Sequence, residues 1–357
     1  MPNYRNLKVV PKLVFGRGSL DQLGDVLSKE RSETGSFVVY LIDAVHENGP
    51  IIRRLRLHAN DLVILVNVDN EPKTTYVDEL TERIKNYTNR MTDGIIGIGG
   101  GSTLDLAKAV SLMLTNPGSS ADYQGWDLVN NPSVYHVGVP TLAGTGAEVS
   151  RTTVLTGPEK KLGINSDYTP FDQVVLDPDL LAGVPKPQRF YSGMDCFIHA
   201  AEALSGTFLN TFSQVHATTS QDLCREVFLS PQEDADDKLM VASYMGGLSI
   251  AYSQVGVCHA LSYGLSFVLG YRHGIGNCIV FDQLEEYYPR DVEVFREMVE
   301  KNEISLPQGI MTEVTEDQLD AMVNVSLVLE PLWENALGPE WRKAISREKI
   351  KEIYRRM

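Results

Sequence analysis

The sequence predicts a two-domain protein, with an α/β Rossmann-like domain at residues 1–182 and an all-α domain at residues 183–357. Three observations carry this prediction. Short apolar runs alternate with amphipathic stretches in the first half, helical periodicity dominates the second half, and three prolines cluster at residues 178–187. A chain of 357 residues is long enough to build two domains, each with its own core.

Five apolar, mostly β-branched runs predict the buried strands of the first domain, at residues 37–42, 62–66, 95–98, 134–139 and 174–176. Residues 104–114 follow the third run and predict a helix. Strands that are separated by helical segments are typical of βαβ units. We therefore expect a parallel sheet that is covered on both faces.

Beyond the proline cluster, amphipathic stretches predict helices at residues 191–204, 212–228, 238–255, 259–268 and 292–301. Residues 230–237 are acidic and contain a proline, so they predict a solvated loop. We expect a cleft between the two domains. Such clefts are common ligand sites.

The bulk composition excludes several classes of partner. The net charge of −15 and the pI near 4.9 argue against nucleic acid or an anionic membrane as a partner. Four cysteines without a C-x-x-C pair predict free buried thiols in a reducing compartment. The start of the chain lacks the apolar core of a signal peptide, and no run of about eighteen apolar residues occurs, so we expect a cytoplasmic protein.

Residues 95–108 predict a strand, a glycine-rich turn and a helix start, a sequence that is typical of a nucleotide site. Glycines without a Cβ atom let the backbone approach a phosphate, and the N–H groups at a helix start favour negative charge. Ser102 is a good N-cap, and Asp105 follows three residues later, as in a capping box. A tight turn before a capped helix, without a ligand, is the alternative.

Two further features of the first domain fit a dinucleotide. Asp43 ends the first predicted strand, where a carboxylate can bind ribose hydroxyls and repel a 2′-phosphate, which favours NAD over NADP. Asp43 can equally cap a helix. The small and hydroxyl side chains of residues 140–150 can line the ribose and nicotinamide, or they form only a loop.

Four residues of the second domain predict a metal site. Asp195 and His199 lie one turn apart on one face of a predicted helix, and His259 and His273 follow later. One carboxylate and three imidazoles suit zinc or ferrous iron. An Asp–His pair at this spacing also occurs by chance, and a lone histidine is more often structural. Together with a nucleotide segment, the four residues indicate redox chemistry on an alcohol or aldehyde.

With these motifs, the chain resembles the iron-containing, or group III, metal-dependent alcohol dehydrogenases over nearly its whole length. The motifs are G-G-G-S-x-x-D-x-A-K at 99–108, P-T-x-A-G-T-G-x-E at 140–148, D-P at 177–178 and G-M-D-x-x-x-H at 193–199. The resemblance implies the fold that this family shares with dehydroquinate synthase, a homodimer, and one Fe²⁺ or Zn²⁺ on Asp195, His199, His259 and His273. It also implies NAD at Asp43, Gly100, Gly101, Ser102, Thr141, Thr145, Lys161 and Leu180, with Asp105 as a further candidate.

The chain departs from its relatives at one position near the third ligand. Many relatives carry a second histidine four residues after the residue that corresponds to His259, and here that position is Tyr263. The phenol of Tyr263 is therefore a candidate to orient the substrate or to pass a proton. A tyrosine that only packs beside the ligands is the alternative.

Residues 111–118, 123–128, 163–168 and 249–256 further resemble family members that oxidise the C8 primary alcohol of the sugar acid 3-deoxy-D-manno-octulosonate (Kdo). In those members the aldehyde is later aminated for lipopolysaccharide biosynthesis. A small sugar-acid substrate needs a cation for its carboxylate, and Arg151 and Arg272 are the candidates. Structural salt bridges are the alternative for both arginines.

Three other functions remain open. The first is a dehydrogenase of the same family that acts on a simple polyol or a short-chain alcohol. The second is a sugar-phosphate cyclase like dehydroquinate synthase, but the segments around His259 and His273 are poor in the basic residues that a substrate phosphate needs. The third is a silent metal-binding protein, which intact glycine loops combined with four ligands argue against.

Overall fold

The computed structural model describes residues 9–32, 36–68, 72–159, 161–230 and 232–357, which form two compact units. The first unit comprises the described chain up to Leu142 together with Ala147–Gly183, and the second comprises Ala143–Gly146 and Val184–Met357. The short segment Ala143–Gly146 is unexpected, because it lies in the first half of the sequence but groups with the second unit. Residue 231 of the predicted acidic loop lies outside the described residues.

The main sheet of the first unit is parallel, as predicted. Its strands are β1 (Leu13–Phe15), β2 (Val38–Asp43), β3 (Leu62–Val66), β4 (Gly94–Gly99), β6 (His136–Pro140) and β9 (Gln173–Leu176), and they lie in the order β1-β9-β6-β4-β2-β3. The helices of this unit are α1 (Leu23–Ser28), α2 (Pro50–Arg54), α3 (Thr74–Lys85) and α4 (Gly101–Met113). Short 3₁₀ turns occur at Ser19–Gln22, Ala44–His46, Ser120–Tyr123 and Pro178–Leu181.

A second, small sheet in the first unit was not predicted. It consists of β5 (Gly125–Trp126), β8 (Lys161–Asn165) and β7 (Thr152–Thr156), in that order, with β7 antiparallel to β8. These strands are short and rich in polar residues, so they lack the continuous apolar runs that marked the strands of the main sheet.

The central strands are buried because both faces of the sheet are covered, as in most parallel sheets. Glycines allow α4 to pack closely on β4. A Cβ atom on Gly97 would lie 2.6 Å from the Cβ of Ala107, and one on Gly99 would lie 2.6 Å from the Cβ of Thr103. Most of α4 is buried as a result, which holds its first turn directly after β4.

The second unit is helical in the described chain, as predicted. Its helices are α5 (Lys186–Ser205), α6 (Thr211–Leu229), α7 (Ala235–Tyr252), α8 (Val257–Leu269), α9 (His273–Phe281), α10 (Pro289–Lys301), α11 (Glu316–Leu327), α12 (Glu330–Leu337), α13 (Trp341–Ala344) and α14 (Arg347–Arg355). The five predicted helices are α5 to α8 and α10. Helix α9 was missed because its apolar residues cover most of its surface and leave no clear periodicity.

Helix α5 is central to the second unit and packs against α6, α7 and α9. Glycines permit this close packing. A Cβ atom on Gly246 of α7 would lie 2.7 Å from the Cβ of Cys196, and one on Gly193 would lie 2.5 Å from the ring of Phe228. Side chains of α5 therefore point into the interior of the bundle, including the two predicted metal ligands.

The four cysteines are free and buried, as the sequence predicted. Burial raises the pKa of the Cys258 and Cys278 thiols well above the usual value. These thiols are therefore protonated and unreactive. Across the described residues, none of the helices has both the length and the apolar content that a membrane crossing requires.

Candidate functional site

The four predicted metal ligands converge inside the second unit. One side-chain atom from each of Asp195, His199, His259 and His273 lies within 4.8 Å of every other. Asp195, His199 and His259 are buried, and His273 is about one-quarter exposed. The structure therefore brings together four residues that span nearly eighty positions of the sequence.

Three helices supply these residues. Asp195 and His199 face the same side of α5, His259 lies in the first turn of α8, and His273 is the first residue of α9. Gly270 ends α8 in the left-handed conformation with φ of 74°, which lets the chain reverse and begin α9 three residues later. This turn places the ring centroid of His273 at 5.3 Å from that of His259.

Each histidine presents its Nε2 atom to the cluster. The Nε2 atoms of His199 and His259 lie 3.1 Å apart, and their rings stack. Oδ1 of Asp195 lies 3.6 Å from Nε2 of His199 and 3.4 Å from Nε2 of His259. Oδ2 lies 3.5 Å from Nε2 of His273. All three imidazoles thus share one carboxylate.

The cluster shifts the pKa of each buried member. Burial alone would raise the pKa of Asp195, but the surrounding histidines hold it well below the usual value. Burial lowers the pKa of His199 to about 4. Burial would also lower the pKa of His259, but Glu202 and Asp195 raise it to about 9. Asp195 therefore remains ionised and acts as the anionic member of the site.

The donor set fits a divalent metal. Three imidazole nitrogens and one carboxylate oxygen suit zinc or ferrous iron. Oδ2 of Asp195 is buried and accepts no hydrogen bond from the described residues, although a buried carboxylate oxygen normally has a partner. A cation at the centre of the four groups would satisfy this oxygen.

Two polar residues that sequence reasoning missed complete the surroundings of the cluster. Glu202 of α5 contacts Nδ1 of His259 at 2.5 Å, and Nδ2 of Asn277 of α9 donates to Oδ1 of Asp195 at 2.6 Å. Both lie at helical spacing from a ligand, Glu202 three residues after His199 and Asn277 four residues after His273. That spacing was the signal in the sequence that could have identified them.

Tyr263 lies beside the cluster, as its position one turn after His259 suggested. Its ring centroid is 6.5 Å from that of His259 and 6.0 Å from that of His273, and both contacts are edge-on. Arg272 is exposed and immediately precedes His273. Both residues therefore lie next to the most exposed ligand.

Several predicted nucleotide residues of the first unit lie at the carboxyl ends of three neighbouring strands. Asp43 ends β2, Gly99 ends β4, and Thr141 follows β6 and donates its N–H to the carbonyl of Gly99 at 2.9 Å. The chain runs from β2 outward to β3 and then returns to β4 on the other side of β2. Parallel sheets bind ligands at such a switch point.

Two side chains shape this edge. Oδ1 of Asp43 accepts a hydrogen bond from the N–H of Val45 at 3.1 Å, so the alternative reading of Asp43 as a helix cap is correct. Its second oxygen does not take part in that bond. Nε2 of His46 lies 3.1 Å from Oγ1 of Thr141 and links the ends of β2 and β6, a contact that sequence reasoning missed.

The predicted capping box at the start of α4 is wrong. The helix begins at Gly101, its N-cap is Gly100, and the N-cap makes no side-chain hydrogen bond. Ser102 therefore lies inside the first turn. Close packing on β4 starts the helix earlier than the capping motif suggested. First-turn N–H groups that no N-cap side chain binds suit an anion.

Asp105 contacts residues of its own unit, and its contact with the nucleotide stays a prediction. Its Oδ2 accepts a hydrogen bond from the N–H of Val154 at 3.0 Å, and its Oδ1 lies 2.9 Å from Nζ of Lys108. Lys108 is fully buried and also donates to the carbonyls of Ala147 and Thr152. These bonds attach α4 to β7 and to the segment before it.

Leu180 and Lys161, two further residues of the nucleotide prediction, are both buried. The side chain of Leu180 packs in the apolar core with residues of β2 and β4, and its N–H donates to the carbonyl of Asp177. The nucleotide contact of Leu180 stays a prediction. Lys161 begins β8, where it is buried and opposite Thr156.

The glycines of the second glycine-rich stretch, at residues 140–150, allow close packing against α5 and α7. Gly144 has φ of +152°, and a Cβ there would lie 1.6 Å from the carbonyl oxygen of Ser192. Gly146 has φ of +62°, and a Cβ there would lie 2.3 Å from Cα of Gly247. Thr145 is held between these two close approaches to α5 and α7.

Arg151 is engaged by carboxylates of its own unit. Its guanidinium lies 2.6 Å from Oδ1 of Asp127 and 3.0 Å from Oδ1 of Asp167. A substrate carboxylate would have to displace both. The structure therefore favours the salt-bridge reading of Arg151.

Comparison with known proteins matches two family models to the chain. Residues 11–178 match the model for iron-containing alcohol dehydrogenase, and residues 189–329 match the C-terminal model of the Fe-containing alcohol dehydrogenase family. These matches cover well over half of the chain.

Curated relatives and solved structures agree with those models. Alcohol dehydrogenase 4 of Saccharomyces cerevisiae is 25% identical over 331 residues, which cover 90% of this chain and 85% of the relative. The NAD-dependent methanol dehydrogenase of Bacillus methanolicus is 29% identical over 286 residues, which cover 77% of this chain and 73% of the relative. The crystal structure of a 1,3-propanediol oxidoreductase superposes with a TM-score of 0.85 at 21% identity, covering 99% of both chains. The chain belongs to the iron-containing alcohol dehydrogenase family.

Proposed function

We propose that this chain is a metal- and NAD-dependent alcohol dehydrogenase that interconverts a primary alcohol and its aldehyde. The observation that carries the proposal is the convergence of four ligand atoms, from Asp195, His199, His259 and His273, within 4.8 Å of one another. A divalent metal bound there would polarise the alcohol oxygen and lower its pKa, and the nicotinamide would accept the hydride.

The residues of the second unit prepare the metal site. Asp195 supplies the negative charge, and the Nε2 atoms of the three imidazoles are already turned towards that charge. Burial of three of the four ligands excludes water, which strengthens every electrostatic interaction with a bound cation. Tyr263, whose ring lies beside His259 and His273, is proposed to orient the alcohol.

The edge formed by β2, β4 and β6 is proposed to bind the dinucleotide. Gly100, Gly101 and Ser102 would bind the pyrophosphate through first-turn N–H groups of α4. The carboxylate of Asp43 would bind the ribose hydroxyls and repel a 2′-phosphate, which predicts NAD as the preferred nucleotide. Thr141, Thr145 and Lys161 remain proposed contacts. The NAD dependence of the methanol dehydrogenase relative supports this assignment.

We propose the C8 alcohol of Kdo as the substrate, with its aldehyde serving lipopolysaccharide biosynthesis. The four stretches that resemble Kdo-oxidising members support this choice, and Arg272, which is exposed next to His273, is the proposed partner of the substrate carboxylate. A simple polyol or short-chain alcohol is the competing substrate, since the relatives include methanol dehydrogenase and the fold matches 1,3-propanediol oxidoreductase.

The test is a turnover assay of protein loaded with Fe²⁺ or Zn²⁺, with NAD and with NADP, on Kdo, glycerol, 1,3-propanediol and butanol. We expect NAD reduction only in metal-loaded protein, and the highest kcat/KM with Kdo. Turnover of the neutral alcohols with equal kcat/KM would remove Kdo as the specific substrate.

An Asp195→Asn variant tests the proposed metal site in the same assay. It keeps the size of the side chain but removes the anionic ligand. We expect metal affinity to fall by more than about 100-fold, because a direct ligand contributes more than the 10- to 100-fold of an outer hydrogen-bond partner. Full NAD-dependent turnover by this variant would disprove the metal mechanism.

The homodimer also stays a prediction. Sedimentation equilibrium of the purified protein measures the oligomeric state and tests it.

A further inference from the structure

A buried carboxylate lies behind His259, on the side away from the other ligands. The side chain of Glu202 is fully buried, and its Oε2 lies 2.5 Å from Nδ1 of His259. Its Oε1 accepts hydrogen bonds from the N–H groups of Cys258 at 2.6 Å and His259 at 3.3 Å. One side chain therefore contacts both the ring and the backbone of a proposed ligand.

This contact selects one tautomer of the His259 ring. A carboxylate only accepts hydrogen bonds, so Nδ1 of His259 must carry the proton that it shares with Glu202. In the neutral ring, Nε2 then carries the lone pair. Nε2 is the atom that lies 3.4 Å from Oδ1 of Asp195 and 3.1 Å from Nε2 of His199, so the lone pair is directed into the cluster.

His199 provides an internal contrast. Its Nδ1 is buried and has no hydrogen-bond partner among the described residues. The ring of His199 is therefore held by packing and by the stacked ring of His259, at a centroid distance of 4.7 Å. Glu202 thus gives His259 an outer partner that His199 lacks.

Glu202 also acts on the start of α8. The N–H groups of a first helical turn have no partner inside the helix. Glu202 accepts those of Cys258 and His259, and the hydroxyl of Tyr288 accepts that of Val257 at 3.2 Å. Two different side chains therefore satisfy the same helix start, but only Glu202 contacts the ring of His259.

We propose that Glu202 is a positioning residue of the metal site, which locks His259 in the tautomer that presents Nε2 to the metal. Outer carboxylates of this kind orient a ligating histidine and raise its basicity. The inference rests on the proposed metal site, and the experiment separates the two.

Glu202→Gln changes the ring contact while retaining the helix contact. The amide oxygen can still accept from the N–H groups of Cys258 and His259, and its NH₂ group then faces Nδ1 as a donor. The reverse orientation would set the NH₂ group against two backbone donors. Nδ1 of His259 must therefore accept, and the proton moves to Nε2, from which a metal would have to displace it.

The measurement is titration of metal-depleted protein with Zn²⁺ against a chelating indicator, with ¹⁵N shifts of the His259 ring as a readout of its tautomer. For Glu202→Gln we expect the Kd for Zn²⁺ to rise about 10- to 100-fold and the ring proton to move to Nε2. Glu202→Asp retains a carboxylate, so the native tautomer should persist, with a Kd between those of wild type and Glu202→Gln.

Tyr288→Phe is the matched control, because it removes an acceptor from the same helix start without contacting His259. We expect its Kd for Zn²⁺ to be unchanged. If it weakens binding as much as Glu202→Gln, or if Glu202→Gln binds like wild type, Glu202 is only a helix cap and the inference is overturned. Failure of the wild type to bind Zn²⁺ would instead overturn the proposed metal site itself.

Discussion

The amide nitrogen of Asn277 lies 2.6 Å from Oδ1 of Asp195 and donates to it. The same nitrogen lies 3.1 Å from Nε2 of His259 and 3.2 Å from Nε2 of His273. Asn277 is fully buried, and one turn of α9 separates it from His273. This amide therefore connects three of the four proposed ligands, which come from three different helices.

Replacement of Asn277 should weaken the metal site. Asn277→Ala removes the donor that orients the carboxylate of Asp195, so we expect the affinity for Zn²⁺ to fall by about tenfold or more. Asn335→Ala is the control, since Asn335 is also buried in the second unit but contacts no ligand. It should lower the Tm without changing the Kd. Equal Kd values for wild type and Asn277→Ala would contradict the assigned role.

The charge of Asp43 should control the choice of nucleotide. Asp43→Asn keeps an acceptor for the N–H of Val45 but removes the charge that would repel a 2′-phosphate. We expect the ratio of kcat/KM for NAD to that for NADP to fall about tenfold, which corresponds to about 1.4 kcal/mol. Asp179→Asn, at an exposed carboxylate of the same unit, should leave the ratio unchanged. An unaltered ratio in Asp43→Asn would remove Asp43 from the nucleotide site.

The phenol of Tyr263 should contribute to turnover but not to metal binding. Tyr263→Phe keeps the edge-on ring contacts with His259 and His273 and removes one hydroxyl. We expect kcat/KM to fall about 3- to 10-fold, the range of one hydrogen bond, while the bound metal stays stoichiometric. Steady-state kinetics and metal analysis on the same sample measure both quantities. Wild-type kinetics would show that the ring only packs.

Lys108 should be essential for the stability of the first unit. Its ammonium is fully buried and contacts Asp105 together with the carbonyls of Ala147 and Thr152. Lys108→Met leaves these acceptors without their donor, so we expect a loss of about 3–5 kcal/mol in the free energy of unfolding. Lys85→Met, at an exposed ion pair, should cost less than about 1 kcal/mol. Urea denaturation measures the free energy of unfolding of both variants. Equal losses in Lys108→Met and Lys85→Met would show that the burial of Lys108 is unimportant.

The ion pair of Arg31 and Asp61 should also stabilise the first unit. The guanidinium donates to both carboxylate oxygens, at 2.8 Å and 2.7 Å, and the N–H groups of Val38 and His58 donate to the same carboxylate. Asp61→Asn leaves Arg31 without its counter-charge, so we expect a loss of about 3–5 kcal/mol at pH 7. Asp25→Asn, at an exposed carboxylate, is the control.

The effect of Asp61 should depend on pH in a defined direction. Burial would raise the pKa of Asp61, but the bonds from Arg31 and from the backbone hold it below the usual value. The unfolded-state pKa of an aspartate is about 3.9, and a folded-state pKa below it means that the ionised carboxylate stabilises the folded protein above that pH. This stabilisation is lost as the pH falls through the folded-state pKa. The difference in unfolding free energy between wild type and Asp61→Asn should therefore be constant near neutral pH and shrink in acid. A difference that grows in acid would contradict this.

Much of the fold and of the site was predictable because it depends on local spacing. The alternation of apolar runs with helical stretches predicted the parallel sheet and the helical second unit. Asp195 and His199 are four residues apart on one helix, and helix geometry alone places them on one face. The pairing of these two proposed metal ligands was in this sense determined by the sequence.

Only the tertiary structure decided the contacts between distant segments. Asp105 reads as a capping residue or a nucleotide contact in sequence, yet it binds Val154 and Lys108 because α4 packs against β7. Glu202 and Asn277 have the right spacing on their helices, but which ligand each one meets depends on how α5, α8 and α9 pack together. Helical periodicity identifies the face on which a residue lies, and only the packing of that face against another helix determines its partner.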